Sequence, residues 1–210
     1  MTPHLQSFIL GPLENNTYLL GDPNTHQAAL IDPGLGIETA LEALRPWNIE
    51  HIWFTHAHFD HTLGANALLP HLPKTPQIGL HPADLDLHRA GGGSAFFGIS
   101  TRPAPEPTLL FEHGQLLKLG SLTVEIRHAP GHSPGHVLFY APALNAVLCG
   151  DVIFYDSIGR TDLPGGNQAQ LLQSIRQQVL TLPNSTRLLP GHGPETTVGR
   201  ERAENPYLSE

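Results

Sequence analysis

Apolar positions in the first part of the chain come in short blocks separated by turn residues. "SFILGP", "NTYLLGD" and "QAALIDPG" predict three short strands of a meander, punctuated by Gly-Pro, Gly-Asp-Pro and Asp-Pro-Gly. The period then changes. In "IETALEALRPW", Ile37, Ala40, Leu41 and Leu44 recur at i, i+3, i+4 and i+7, which makes one apolar helix face, and Pro46 closes it. "EHIWFTH" is short and apolar and reads as a buried strand. "GANALL" begins another helix. The middle of the chain is the least regular part. It carries a strand at "QIGLH", a short helix around "ADLDLHRA", then Gly91 to Gly93 and a proline-rich stretch. That stretch is either a mobile loop beside a site or a surface excursion. Strands resume at "LTVEIRHAP", "HVLFYAP" and "AVLCGDVIFYD". "NQAQLLQSIRQQVLTL" predicts a second amphipathic helix with Leu172, Ile175, Val179 and Leu182 on one face. A last strand, "RLLPGHGP", precedes a polar C-terminal tail. No linker interrupts the pattern. Two strand-rich halves, each carrying helices, predict a mixed α/β chain of one domain, residues 1–210, with two sheets face to face and helices outside.

Composition narrows the partners. Apolar residues are 40% of the chain and charged residues 14%, so it can bury a core. Net charge is −8 and there is no basic block, which speaks against a nucleic-acid partner. No run reaches the length of a membrane span, and the N-terminus lacks an export signal, so cytoplasm is the expected compartment. The single cysteine, Cys149, cannot form an internal disulfide and reads as a small buried hydrophobe.

Fourteen histidines are the compositional anomaly. His4, His26, His51, His71 and His113 stand alone and read as ordinary side chains. "THAHFDH" differs, because His56, His58, Asp60 and His61 crowd the end of the predicted strand "HIWF". His56 and His58 point the same way if the segment is extended. Burying so many polar groups without a purpose is costly. Four ligands in six residues suit two adjacent metals better than one. Further candidates trail later strands: His132 in "HAPGHSPGH", Asp151 in "LCGDVIF" and His192 in "LLPGHGP". Their small-residue turns let the backbone approach a site.

With those residues in that order, the chain resembles the metallo-β-lactamase superfamily, from "NTYLL" and "LIDPG" to "PGHGP". The resemblance implies a four-layer αββα sandwich. It departs from the β-lactamases that carry Cys at the bridging position, since Asp151 stands there. "IGRTDLPGG", "GHSPGHV" and "LLPGHGPETTVGRERAENPYL" are similar to a short bacterial glyoxalase II, without the helical C-terminal domain of the full-length form. "GRTD" also resembles the mono-iron persulfide dioxygenases.

By resemblance, His56, His58 and His132 would hold one metal and Asp60, His61 and His192 a second, with Asp151 bridging. Zinc is the first expectation, and iron or manganese suit the same N and O ligands. Asp32 in "LIDPG" would support the site from behind, unless it is only a turn residue. The implied reaction is hydrolysis of a small-molecule thioester such as S-lactoylglutathione by a hydroxide between the metals, oriented by Asp60. Arg160 would grip the glycine carboxylate of glutathione. Asp162 stands where that family often has an aromatic residue. Arg200 and Arg202 read as structural.

Overall fold

The structure, a computed structural model, describes residues 2–208. The first six-stranded sheet runs in sequence order: β1 (His4–Leu10), β2 (Asn15–Asp22), β3 (Gln27–Ile31), β4 (Asn48–Trp53), β5 (Gln77–Leu80) and β6 (Leu109–Leu110). The β1–β2–β3 meander is antiparallel, and pairing is parallel from β3 to β6. The second sheet holds β7 (Leu116–Leu119), β8 (Leu122–His128), β9 (Val137–Ala141) and β10 (Ala146–Gly150). After the small hairpin of β11 (Ile153–Phe154) and β12 (Ser157–Ile158), β13 (Arg187–Pro190) returns parallel to β10, and β14 (Thr196–Thr197) closes the edge.

Strand period two sorts the apolar residues into layers. In β2, β3 and β10, one alternate set (Leu20, Ala29, Ile31, Leu148) faces the opposite sheet, where Trp53 stacks on Phe139 at 5.5 Å. The other set in β2 and β3 (Leu19, Ala28, Leu30) packs under the helices of the first half. Those are α1 (Leu41–Leu44), extending a 3-10 turn at Ile37–Ala40, and α3 (Gly64–Leu68), with the one-turn α2 (Phe59–Thr62) before it and α4 (Leu85–Arg89) beyond. On the second sheet, Val147 and Cys149 pack under α5 (Gln168–Ser174). Strands buried on both faces explain the near-continuous apolar runs. The result is the αββα sandwich.

Two expectations are corrected. The α5 face is led by Leu171, with Leu172 only half-buried, because Leu171, Ile175 and Val179 are spaced by four through the π-helical turn Ile175–Val179. The C-terminal segment is no simple tail. Thr197 caps α6 (Val198–Glu204), and buried Glu201 accepts from the Asp156 amide at 3.0 Å and from Asn205 at 2.8 Å. Gly199 and the charged run hid that helix from a periodicity reading.

Candidate metal centre

β4, β8, β10 and β13 all end at one edge of the sandwich. Past β4 the chain turns at Thr55 and presents His56 and His58, then Asp60 and His61 on α2. β8 leads to His132, β10 to Asp151 and β13 to His192. All seven residues read as ligands are thus brought together. Asp60 and His61 stand on a helical turn rather than in a loop. Gly191 makes the approach of β13 possible, since a Cβ there would lie 2.2 Å from Asp151 Oδ1 and 2.6 Å from His61 Cε1.

The side chains form two clusters. In the first, His56 Nε2, His58 Nδ1 and His132 Nε2 lie 3.0, 2.8 and 3.2 Å apart. In the second, His192 Nε2 is 3.2 Å and His61 Nε2 3.6 Å from Asp60 Oδ2. Asp151 touches both, with Oδ1 3.4 Å from His61 Nε2 and Oδ2 3.5 Å from His132 Nε2.

Hydrogen bonds behind the rings decide what these nitrogens can do. His132 Nδ1–H donates to the Arg160 carbonyl and His192 Nδ1–H to the Leu13 carbonyl, both at 2.8 Å. His61 Nδ1–H donates to Asp32 Oδ2 at 2.9 Å. His56 Nδ1–H donates to Thr55 Oγ1 at 3.0 Å, whose own hydrogen goes to Asp32 Oδ2 at 2.6 Å. In the neutral rings, each Nε2 is therefore a lone pair turned into the site. The first cluster has at most one hydrogen to share, on His58 Nδ1. No hydrogen separates His56 Nε2 from His132 Nε2. A tetrahedral zinc with bonds of about 2.0–2.1 Å would set such nitrogens about 3.3–3.4 Å apart. In the second cluster, His61 Nε2 and Asp151 Oδ1 are buried with no hydrogen-bond partner. Inward lone pairs and orphaned buried atoms both fit a cation.

Asp32 also lies close to His56 and His61. Its oxygens are already engaged: Oδ1 accepts from the Thr55 amide at 2.7 Å, and Oδ2 from Thr55 and His61. It orients the site. It holds a left-handed φ of 51°, a strained value for a non-glycine residue.

Electrostatics separate the clusters. Burial, reinforced by neighbouring histidines, keeps His56 well below the ordinary imidazole value and takes His58 to about 3. Burial also lowers His132, against the pull of Asp151. In the second cluster burial is outweighed. Asp151, Asp60 and Asp32 raise His61 well above its usual value, and Asp60 and Asp151 raise His192. Burial works against the charge of Asp60 and Asp151, but the neighbouring histidines hold both below the usual carboxylate range.

The centre floors a cleft of about 400 Å³ whose walls are largely apolar, with Leu13, Phe59, Phe97, Phe154, Ile158 and Leu163. Gly92, from the irregular middle segment, forms part of the wall, and its carbonyl accepts from the Phe59 amide at 3.0 Å. Among the described residues, Arg160 is the one fixed cation on the lining. Its guanidinium is engaged by Asp162, Nε to Oδ1 at 2.7 Å and Nη2 to Oδ2 at 2.8 Å. Any substrate carboxylate has to compete with that pair. Arg200 pairs with Asp156 and Glu204, and Arg202 donates to the Leu180 carbonyl, so both brace α6. Cys149 is fully buried, and burial pushes its thiol up.

Two residues escaped the sequence reading. His136 is fully buried, stacks on His56 at 4.7 Å, and accepts the Asp151 amide at Nε2, 3.0 Å away. The repeated Gly-His of "GHSPGH" was the available signal. Asp84, fully buried beneath the first cluster, gave none, lying inside an apparent surface helix.

Residues 10–192 match the sequence profile of the metallo-beta-lactamase superfamily. The chain belongs to that superfamily. A probable metallo-hydrolase of Bacillus subtilis is 38% identical over 208 residues, covering 95% of each chain. The hydroxyacylglutathione hydrolase GloC of Haemophilus influenzae is 34% identical over 200 residues, 93% of each. Among solved structures, the BLEG-1 B3 metallo-beta-lactamase superposes with a TM-score of 0.91 at 34% identity, over 99% of this chain and 100% of that one. TTHA1623 in a di-iron-bound form superposes at 0.87 with 38% identity, over 97% and 100%. The superfamily member described here is a metal-dependent hydrolase.

Proposed function

We propose that this metallohydrolase cleaves thioesters, S-lactoylglutathione first among them, to a carboxylic acid and a free thiol. The observation that carries the reading is the pair of lone-pair clusters joined by Asp151 on the floor of an open cleft. The name of the Haemophilus relative points to the thioester. His56, His58 and His132 would hold one divalent ion, Asp60, His61 and His192 the other, and Asp151 both. The N and O donors suit zinc, and the di-iron form of one structural neighbour keeps iron in view. Two such ions supply Lewis-acid polarisation of a carbonyl and a water acidic enough to ionise near neutral pH.

The chain's own groups do the rest. Asp60, on the cleft floor and charged beside His61 and His192, orients the attacking water and takes its proton. The Nδ1–H bonds to Asp32, Arg160 and Leu13 hold the rings in register as charge moves. Phe59, Phe97 and Phe154 give the substrate apolar walls to lie against. Arg160 meets a carboxylate on the thiol carrier once Asp162 yields. A small-molecule substrate and a cytoplasmic setting accompany this reading.

The test is thiol release from S-lactoylglutathione by protein of measured metal content, with oxygen uptake on glutathione persulfide and β-lactam hydrolysis as parallel arms. Two metals per chain and thiol release support the proposal. One iron per chain with oxygen uptake and no thiol release would mark a persulfide dioxygenase instead. Turnover of β-lactams alone would also refute it.

A further inference from the structure

We propose that Asp84 is the positioning carboxylate of the first metal cluster, setting the affinity of His56, His58 and His132 for their ion without touching it. This rests on the metal reading above. Asp84 is 0% exposed, and among the described residues no Lys or Arg forms an ion pair with it. Such a charge is costly to bury unless donors and a counter-charge answer it. Three donors do. Oδ2 accepts from the Ala57 amide at 3.0 Å and from Ser133 Oγ at 2.7 Å, and Oδ1 accepts from the Gly135 amide at 2.6 Å.

Those donors are selective. Ala57 lies between His56 and His58, and Ser133 follows His132. One carboxylate therefore ties together the two backbone segments that carry the whole nitrogen triangle. It makes no hydrogen bond to Asp60, His61 or His192, although Ala57 stands three residues before Asp60 on the same segment. Gly135 is needed for the approach, because a Cβ there would meet Asp84 atoms at 2.7–2.8 Å. Asp32 plays the matching part under the second cluster through His61, and it reaches His56 through Thr55. Burial pushes the Asp84 carboxyl up against its three donors, and a cation held by the three imidazoles would supply the counter-charge that keeps it ionised.

Single-site backgrounds test this. Asp60→Ala leaves the first cluster whole, and His58→Ala leaves the second whole. Zinc affinity is measured by chelator competition in each background, with and without Asp84→Asn. The expected result is about a ten- to hundredfold loss in the Asp60→Ala protein, the range for removing a group that orients metal ligands. Less than threefold is expected in the His58→Ala protein. The absorption spectrum of cobalt bound to the Asp60→Ala protein should shift as well. Ser133→Ala removes one of the three donors, keeps the charge, and should give a smaller loss of the same kind, about two- to tenfold. It serves if Asp84→Asn does not fold. Equal losses in both backgrounds would show a merely structural residue and overturn the proposal, as would no loss in the first. If the Asp60→Ala protein binds no zinc while Asp84 is intact, the metal reading falls and this proposal falls with it.

Discussion

Asp32→Asn changes one oxygen to an amide and nothing in volume, yet it should disturb both clusters. The Thr55 amide needs an acceptor, so the remaining oxygen of the new Asn turns to it, replacing a 2.7 Å bond. The NH2 then faces Thr55 Oγ1 and His61 Nδ1, where Oδ2 accepted at 2.6 and 2.9 Å. It cannot accept from His61. The ring must move its hydrogen to Nε2, the atom aimed at the second ion, or leave a buried N–H unmade. Thr55 now accepts from the amide, and its own hydrogen turns to His56 Nδ1, 3.0 Å away. That drives the His56 hydrogen to Nε2 as well. Each displaced tautomer should cost about ten- to hundredfold in metal affinity, or roughly 1.4–2.7 kcal/mol. The second site should lose more, because His61 is bonded to Asp32 directly. The assay is a zinc competition titration resolved into two steps, alongside urea unfolding of the metal-free protein. Two zinc ions bound within threefold of wild-type affinity would refute the tautomer argument.

Asp60→Ala should lose one metal per chain and most thioesterase activity while the fold remains, checked by elemental analysis and circular dichroism. Asp162→Asn should free Arg160. The pair is half-exposed or more on both sides, so it is worth about 0.2–1 kcal/mol. KM should therefore fall by up to about fivefold for glutathione thioesters and stay level for analogues without the glycine carboxylate, as steady-state kinetics would show. The metal-free protein should be most stable near pH 6.5, the unfolded imidazole value. His56, His58, His132 and His136 are lowered by burial, so their contribution is lost as pH falls below 6.5. His61 and His192 are raised by carboxylates, so theirs is full below 6.5 and lost as pH rises through their folded values. Urea midpoints at pH 5, 6.5 and 8.5 give the comparison, and a monotonic series would contradict it.

Legibility in the sequence followed the range of the interactions. Strands β2, β3, β4, β9 and β10 were readable because burial on both faces makes continuous apolar runs, which local sequence records. The H-x-H-x-D-H segment was readable because one strand end concentrates its side chains. His132, Asp151 and His192 could be proposed only as strand-end residues. Bringing them together required β8, β10 and β13 to finish at the same edge, and sheet order is not written in any one segment. What failed was of another kind. Asp84 sits in "ADLDLHR", where an acidic residue on a short helix looks solvated, and only its distant contacts with Ala57, Ser133 and Gly135 mark it as buried. The pairing of Arg160 with Asp162 depends on rotamers, which spacing alone does not fix.

Charge balance gives a reason to expect two ions rather than one. Asp32, Asp60, Asp84 and Asp151 lie at the clusters or behind them. None of the four forms an ion pair with Lys or Arg among the described residues. The four imidazoles pinned at Nδ1 are neutral when their Nε2 atoms act as ligands, so four negative charges lack compensation. Two divalent cations supply four positive charges; with one, two carboxylates must find their counter-charge in protonated side chains, since an unanswered buried charge costs several kcal/mol. Protonated His61 and His192 can stand in for the second ion, which is the meaning of their raised values in the metal-free protein. Binding of the second ion should therefore expel those protons. Calorimetric titration in buffers of different ionisation enthalpy should count one to two protons released at pH 7 with the second zinc and fewer with the first, whose imidazoles are already neutral. An equal count at both steps would mean that the two clusters do not differ in this way.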